Sequence, residues 1–217
     1  MTEICPTITA ASIEEYERQL QAIEGFAARI HIDIADGTLA PRRLFPPDYM
    51  SWPRGLQVDL HVMTKAPQTI LSRLINLQPN LVIVHAEANG DFFTIADKLH
   101  GHGIKAGVAL LPPTEPKSIV ESINIIDHVL IFSGNFGYQG GSRVNGSLFE
   151  KIKTLRRLKP HLEIGWDGGV NDQNVHMLAR LGINVINVGS FIQSSMAASQ
   201  TLPSSVSPSP ITTYIQR

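Results

Sequence analysis

His31 and Asp33 lie two residues apart in Ala28-Arg29-Ile30-His31-Ile32-Asp33-Ile34-Ala35-Asp36-Gly37, an alternating β-branched run that reads as a strand ended by the Asp36-Gly37 turn. Strand side chains repeat every two residues, so the imidazole and the carboxylate share one face while Ile30, Ile32 and Ile34 share the other. His61 ends a second such run, Leu56 to His61, and Asp167 ends another, Leu162 to Asp167. Two histidines and two carboxylates make a four-ligand set for a divalent transition ion. Imidazole suits Zn2+, Fe2+ or Mn2+, and carboxylate shifts the balance towards harder ions. Taken singly, each is an ordinary polar group near a strand end; their recurrence at corresponding ends argues for a site. Three glycine stretches also follow apolar runs: Gly134-Asn135-Phe136-Gly137-Tyr138-Gln139-Gly140-Gly141, Gly168-Gly169 and Gly189-Ser190. Glycine lets backbone N–H groups approach an anion closely, so these loops suit a phosphorylated ligand.

Residues so far apart in sequence can meet only if the fold gathers the strand ends. The chain alternates short β-rich runs with amphipathic stretches up to about Ser190, the pattern of parallel strands joined by helices. The runs are Glu3–Thr9, Ile30–Asp33, Leu56–His61, Leu81–His85, Ile104–Leu110, Val129–Ser133, Leu162–Asp167 and Val185–Val188. Ser12 and Glu15 have capping-box spacing, Pro67 to Leu77 and Asp91 to Gly101 read as helices, and Gly101 and Gly103 are stop signals. Eight strands predict a closed (β/α)8 barrel of the TIM type. An open doubly wound sheet usually has fewer strands and often a glycine fingerprint after the first, which is missing here. A barrel places functional residues at the C-terminal ends of its strands, where the histidines and aspartates lie. The long connection Gly37 to Gly55 carries Pro41, Pro46, Pro47 and Pro53, so it reads as an irregular, candidate active-site loop.

The 217 residues are 43% hydrophobic with a formal net charge of −1, and no Lys/Arg cluster stands out. This composition fits one barrel domain, expected over residues 1–192, and offers no electrostatic footprint for nucleic acid or an anionic membrane. Small molecules or like subunits are the expected partners. Cys5 is the single cysteine, which excludes an internal disulfide framework and fits a reducing compartment. Met1 to Pro6 lacks the pattern of a secretory signal and no run approaches a membrane span, so a cytoplasmic location is expected. Residues 193–217 are expected to form an irregular tail, because the Ser/Pro-rich stretch Pro203 to Pro210 cannot be a regular last helix.

The motifs His31-Ile32-Asp33-Ile34-Ala35-Asp36-Gly37, Asp59-Leu60-His61-Val62-Met63, Val84-His85-Ala86-Glu87-Ala88, Gly103 to Leu110 and Asp167-Gly168-Gly169-Val170 resemble, in order, the ribulose-phosphate 3-epimerases. The resemblance implies a ribulose-phosphate-binding barrel that holds one divalent ion and interconverts D-ribulose 5-phosphate and D-xylulose 5-phosphate as a homo-oligomer. It implies His31, Asp33, His61 and Asp167 as ligands, with Asp33 and Asp167 also the acid/base pair. Thr7, His61 and Met63 would face the substrate, Met63 as part of a roof over the ion. Gly137, Tyr138, Gln139 and Gly140 would close over the sugar, and Gly168, Gly169, Gly189 and Ser190 would hold its phosphate. Ala35 and Phe132 stand where the family usually has methionine, Arg42 replaces an asparagine, and Leu111 and Pro113 alter an Asn-Pro-Gly turn.

Two carboxylates suit an epimerisation, since one proton must leave C3 on one face as another arrives on the opposite face. An ion acting as a Lewis acid stabilises the enediolate between these steps. The altered loops leave a ketohexose 6-phosphate as an alternative substrate. A non-catalytic phosphosugar-binding barrel is a further alternative, against which both aspartates argue. His85 and Glu87 read as supporting groups rather than ligands. His100, His102, His128, His161 and His176 read as solvated and remote, and Trp52 and Trp166 as packing groups.

Overall fold

A computed structural model describes residues 2–134, 136, 138 and 142–189. Eight parallel strands close into a barrel in sequence order: β1 (Glu3–Ile8), β2 (Arg29–Ala35), β3 (Gln57–Met63), β4 (Leu81–His85), β5 (Lys105–Leu110), β6 (His128–Phe132), β7 (Glu163–Asp167) and β8 (Val185–Val188). The helices are α1 (Ile13–Ile23), α2 (Leu71–Asn76), α3 (Phe92–His100), α4 (Phe149–Leu158) and α5 (Val175–Arg180). The predicted (β/α)8 barrel is thus present, with each strand within a residue or two of its expected place. Two connections are looser than expected. The stretch predicted as one helix from Pro67 splits into a 3-10 turn, Pro67–Thr69, and the short α2, while β5 is followed by only a 3-10 turn, Pro116–Ile119. The expected tail, residues 193–217, lies outside the described residues.

The alternation read from the sequence sorts the core into two layers. Ile30, Ile32 and Ile34 join Leu60, Val62, Val82, Val84, Ile164 and Ile186 in the cluster between sheet and helices. Leu81, Ile83, Ala109 and Leu130 fill the barrel itself. Each Val, Leu or Ile side chain among them contributes about 1.5–3 kcal/mol on burial. Local signals fix the helix starts: the Ser12 hydroxyl accepts from Glu15 N–H, and the Asp91 carboxylate accepts from Phe93 and Thr94 N–H. Glu15 reaches back to Ala11 N–H at 2.8 Å, one residue earlier than in the reciprocal capping box.

The N-terminal end of the barrel is closed by a polar network. Buried Arg29 donates through Nε to Asp59 Oδ2 at 2.7 Å and in bidentate fashion to Glu163, at 3.0 and 2.9 Å. His128 Nδ1 lies 2.7 Å from Glu163 Oε2. His128 is therefore remote from the mouth as expected, but it is buried, which corrects the expectation of a solvated ring; His100, His102, His161 and His176 are exposed. Gly165 makes room for it, since a Cβ there would fall 2.5 Å from His128 Nε2.

Burial by itself would raise the Glu163 carboxyl, but the bonds from His128 and Arg29 outweigh it and hold the group well below the usual range. A depressed carboxylate stabilises the fold fully above its unfolded pKa of about 4.3 and loses that contribution as pH falls towards the folded value. Glu163→Gln is expected to cost about 3 kcal/mol at pH 7. In urea unfolding, the gap between wild type and variant should narrow steadily below pH about 4.3. A gap independent of pH would mean that the charge on Glu163 contributes nothing.

Candidate active site

The site is assembled by register and by closure. In the β2–β3 pairing Asp33 lies beside His61 and Ala35 beside Met63, and in the β1–β2 pairing Thr7 lies beside His31. Neighbouring strands stand about 4.8 Å apart, so Asp33 and His61 meet through local pairing alone. Asp167 arrives from β7, which is separated from β2 by β8 and β1 around the ring. Closure of the barrel sets its Oδ2 3.9 Å from His31 Nε2 and 4.0 Å from His61 Nδ1. Asp33 Oδ1 lies 2.9 Å from His61 Nδ1 and 3.3 Å from His31 Nε2.

One ligand atom from each of His31, Asp33, His61 and Asp167 falls within 4.8 Å of all the others. Around a four-coordinate ion with bonds of about 2.0–2.2 Å, donor atoms stand roughly 3.3–3.6 Å apart. The four side chains therefore fit a divalent ion. Two further features agree. His31 Nε2 is buried with no hydrogen-bond partner, although it faces both carboxylates. Burial opposes charge on His31, yet Asp33 and Asp167 outweigh it and hold the imidazole above its ordinary pKa, so the pocket favours a positive charge between its carboxylates.

The same surroundings separate the two aspartates. Burial and the charge of Asp33 push the Asp167 carboxyl well up. Burial acts on Asp33 in the same sense, but the adjoining imidazoles of His31 and His61 overcome it and hold Asp33 far down. His61 is driven down to about 4 by burial and by the nearby His85, against the pull of Asp33, so it is a neutral imidazole suited to ligation.

Partners behind these groups were not picked out from the sequence. Thr9 Oγ1 donates to Asp33 Oδ2 at 2.6 Å, and the Gln19 amide binds both the N–H and the C=O of Thr9, at 3.1 and 3.2 Å. Asn187 stands 3.0 Å from His31 Nδ1. An inward polar residue in the otherwise apolar run Val185-Ile186-Asn187-Val188 was the available signal for it. His85 has the supporting place expected of it: its Nε2 lies 2.8 Å from His61 Nε2 and its Nδ1 3.2 Å from Glu87 Oε2. Glu87 also accepts from Leu111 N–H and Thr114 Oγ1, tying the loop after β5 to the site.

Met63 is buried with Ala35, Ala40 and Leu44, against which Phe136 packs. The Phe132 ring lies 5.6 Å from His61, and Phe136 lies 4.9 Å from His85. Ala40 and Leu44 of the proline-rich loop after β2 thus pack beside Met63, and the two phenylalanines lie against the histidines. Tyr138 is exposed, with the Arg42 guanidinium 5.8 Å from its ring centre. Gly168 and Gly169 have positive φ, and a Cβ on Gly168 would fall 2.2 Å from Gly134 N, so the loops after β6 and β7 interlock. Trp166 is fully buried and donates to Gly168 C=O at 3.0 Å, stiffening the strand end that carries Asp167. Gly189 follows β8 directly. Gly137, Gln139, Gly140 and Ser190 lie outside the described residues.

Among known proteins, the chain is 30% identical over 200 residues to a ribulose-phosphate 3-epimerase of Aquifex aeolicus, covering 88% of this chain and 90% of that protein. It is 28% identical to a chloroplastic ribulose-5-phosphate-3-epimerase of Arabidopsis thaliana, covering 87% and 70% respectively. Among solved structures, a mutant tryptophan synthase alpha-subunit of Pyrococcus furiosus superposes with a TM-score of 0.65 at 14% identity over 91% of this chain and 90% of that one. Phosphoribosyl anthranilate isomerase of Thermus thermophilus gives 0.59 at 13% identity over 93% and 100%, and both likenesses speak to the fold alone. The model of the ribulose-phosphate 3 epimerase family matches residues 3–193, nearly the whole barrel with its four-residue cluster, and the chain belongs to that family.

Proposed function

We propose that this protein epimerises D-ribulose 5-phosphate to D-xylulose 5-phosphate at C3 and uses one divalent ion, Zn2+, Fe2+ or Mn2+. The observation that carries this reading is the pair of carboxylates, Asp33 and Asp167, held on different strands with their protonation pushed in opposite directions. A pair driven apart in this way supplies a base and an acid from the same residue type. The names of the relatives support the choice of substrate.

In the forward reaction the ionised Asp33 takes the C3 proton from one face, and the protonated Asp167 returns one to the other face. The roles exchange on reversal. His31, Asp33, His61 and Asp167 would hold the ion, which supplies Lewis acidity that makes the proton beside the C2 ketone easier to remove. Thr9 and the two imidazoles hold Asp33 in place for that transfer, which cuts the reorganisation needed at the moment of reaction. Met63, Phe132 and Phe136 exclude water and lower the local dielectric, so the charge developing on the substrate interacts more strongly with the site. Thr7, Tyr138 and the segment around Gly137, Gln139 and Gly140 are assigned to the sugar. Gly168, Gly169, Gly189 and Ser190 are assigned to the phosphate. The first two glycines already approach the neighbouring loop at a distance that no Cβ permits.

Deuterium incorporation at C3 of D-ribulose 5-phosphate in heavy water tests the reading. Asp33→Asn and Asp167→Asn should each slow it by about 10³-fold or more. Incorporation only with a ketohexose 6-phosphate would move the same chemistry to another sugar, and none with either would favour a non-catalytic phosphosugar-binding barrel. Stripping with a chelator should abolish exchange, and one equivalent of Zn2+, Fe2+ or Mn2+ should restore it. His31→Ala and His61→Ala should each fail to be restored at that concentration; undiminished exchange in stripped wild type would sink the ion's role.

A further inference from the structure

Three of the four ion-facing groups have neighbours whose effect is plain: Thr9 backs Asp33, His85 backs His61, and Gly168 N–H backs Asp167. His31 is backed by Asn187, and the two donor–acceptor orders open to that pair have opposite consequences. Asn187 Nδ2 stands 3.0 Å from His31 Nδ1, while Asn187 Oδ1 and His31 Nε2 are both buried with no hydrogen-bond partner among the described residues. In that order Nδ2 donates to Nδ1. A neutral imidazole then carries its proton on Nε2, aimed at the carboxylates and unable to ligate.

A half-turn of the amide exchanges two atoms of nearly equal size and puts Oδ1 beside Nδ1. Nδ1 then keeps the proton and donates it to Oδ1, and the Nε2 lone pair faces Asp33, Asp167 and His61. One rotation thus gives Oδ1 its donor and frees Nε2 for an ion. From this we infer that Asn187 is a positioning residue: its carbonyl oxygen fixes His31 in the Nδ1–H form and so sets the affinity of the site for a divalent cation. Ligating histidines take their tautomer from such an outer partner. Asn187 suits the task because it is 2% exposed, sits in register between Asp167 on β7 and Cys5 on β1, and does not titrate. The inference rests on the ion-dependent reading above.

The full-length protein, Asn187→Leu and Asn187→Asp are titrated with Zn2+ and with Mn2+ against a chromophoric chelator, with His31→Ala as the reference for a lost ligand. Asn187→Leu, which offers no acceptor, should bind about 10–100-fold more weakly at an unchanged melting temperature of the ion-free protein. Asn187→Asp, an acceptor only, should bind within about threefold of wild type. Long-range 15N–1H correlation spectra of the Zn2+-loaded wild type should show His31 protonated at Nδ1, a readout that needs no variant to fold. Protonation at Nε2, or equal affinity in Asn187→Leu and wild type while His31→Ala is weakened, would overturn the inference and leave the ion site standing. Wild type and His31→Ala binding equally poorly would bring down both.

Discussion

The Asp33 carboxylate, buried between the imidazoles of His31 and His61, is the interaction on which the mouth of this barrel depends. A carboxylate in that position is tolerated only because two nitrogens and the Thr9 hydroxyl lie within 3.3 Å of it. Its charge then acts on Asp167, which shares the same small volume and is pushed up by burial and by that charge. Burial and mutual repulsion act on both residues. What separates them is the number of partners each has, and that asymmetry pushes two identical side chains in opposite directions.

Around that charge the barrel divides its labour along the strands. The N-terminal ends carry the Arg29, Asp59, Glu163 and His128 network, in which opposite charges are paired. The C-terminal ends carry groups that are deliberately under-satisfied, with His31 Nε2 left unpartnered beside two carboxylates. Both ends bury ionisable residues. Among the described residues only the upper one gathers a set of four side chains able to hold an ion, so the two kinds of cluster are separated by the length of a strand. Loops serve the upper end in turn: Glu87 and buried Lys151, whose Nζ donates to the carbonyls of Leu111, Pro112 and Thr114, hold the connection after β5 close to His85.

The enclosure of the site is built from stiff rings and short aliphatic side chains. Phe132 and Phe136 lie against His61 and His85, and Ala35 packs with Leu44 from the proline-rich loop and with Met63. Phenylalanine is stiffer than methionine and presents a flat face, so this wall adapts less to its contents than a thioether roof does.

Much of this architecture was legible from period and punctuation. The two-residue repeat alone placed His31 and Asp33 on one face and the isoleucines on the other, eight apolar runs implied closure, and the strand-end positions of His61 and Asp167 marked them for the rim. Those features are written locally, within a few residues. The solvated reading of His128 failed because a histidine at a strand's first residue looks the same whether it faces water or a carboxylate on the neighbouring strand. Thr9, Gln19 and Asn187 escaped notice for the same reason, since a hydroxyl or amide has no fixed meaning until its neighbour on another strand is known. Strand alternation and turn chemistry, settled by the sequence, chose which side chains point inward. Only closure, by seating β8 and β1 between β7 and β2, decided which of them meet and what charge each one bears.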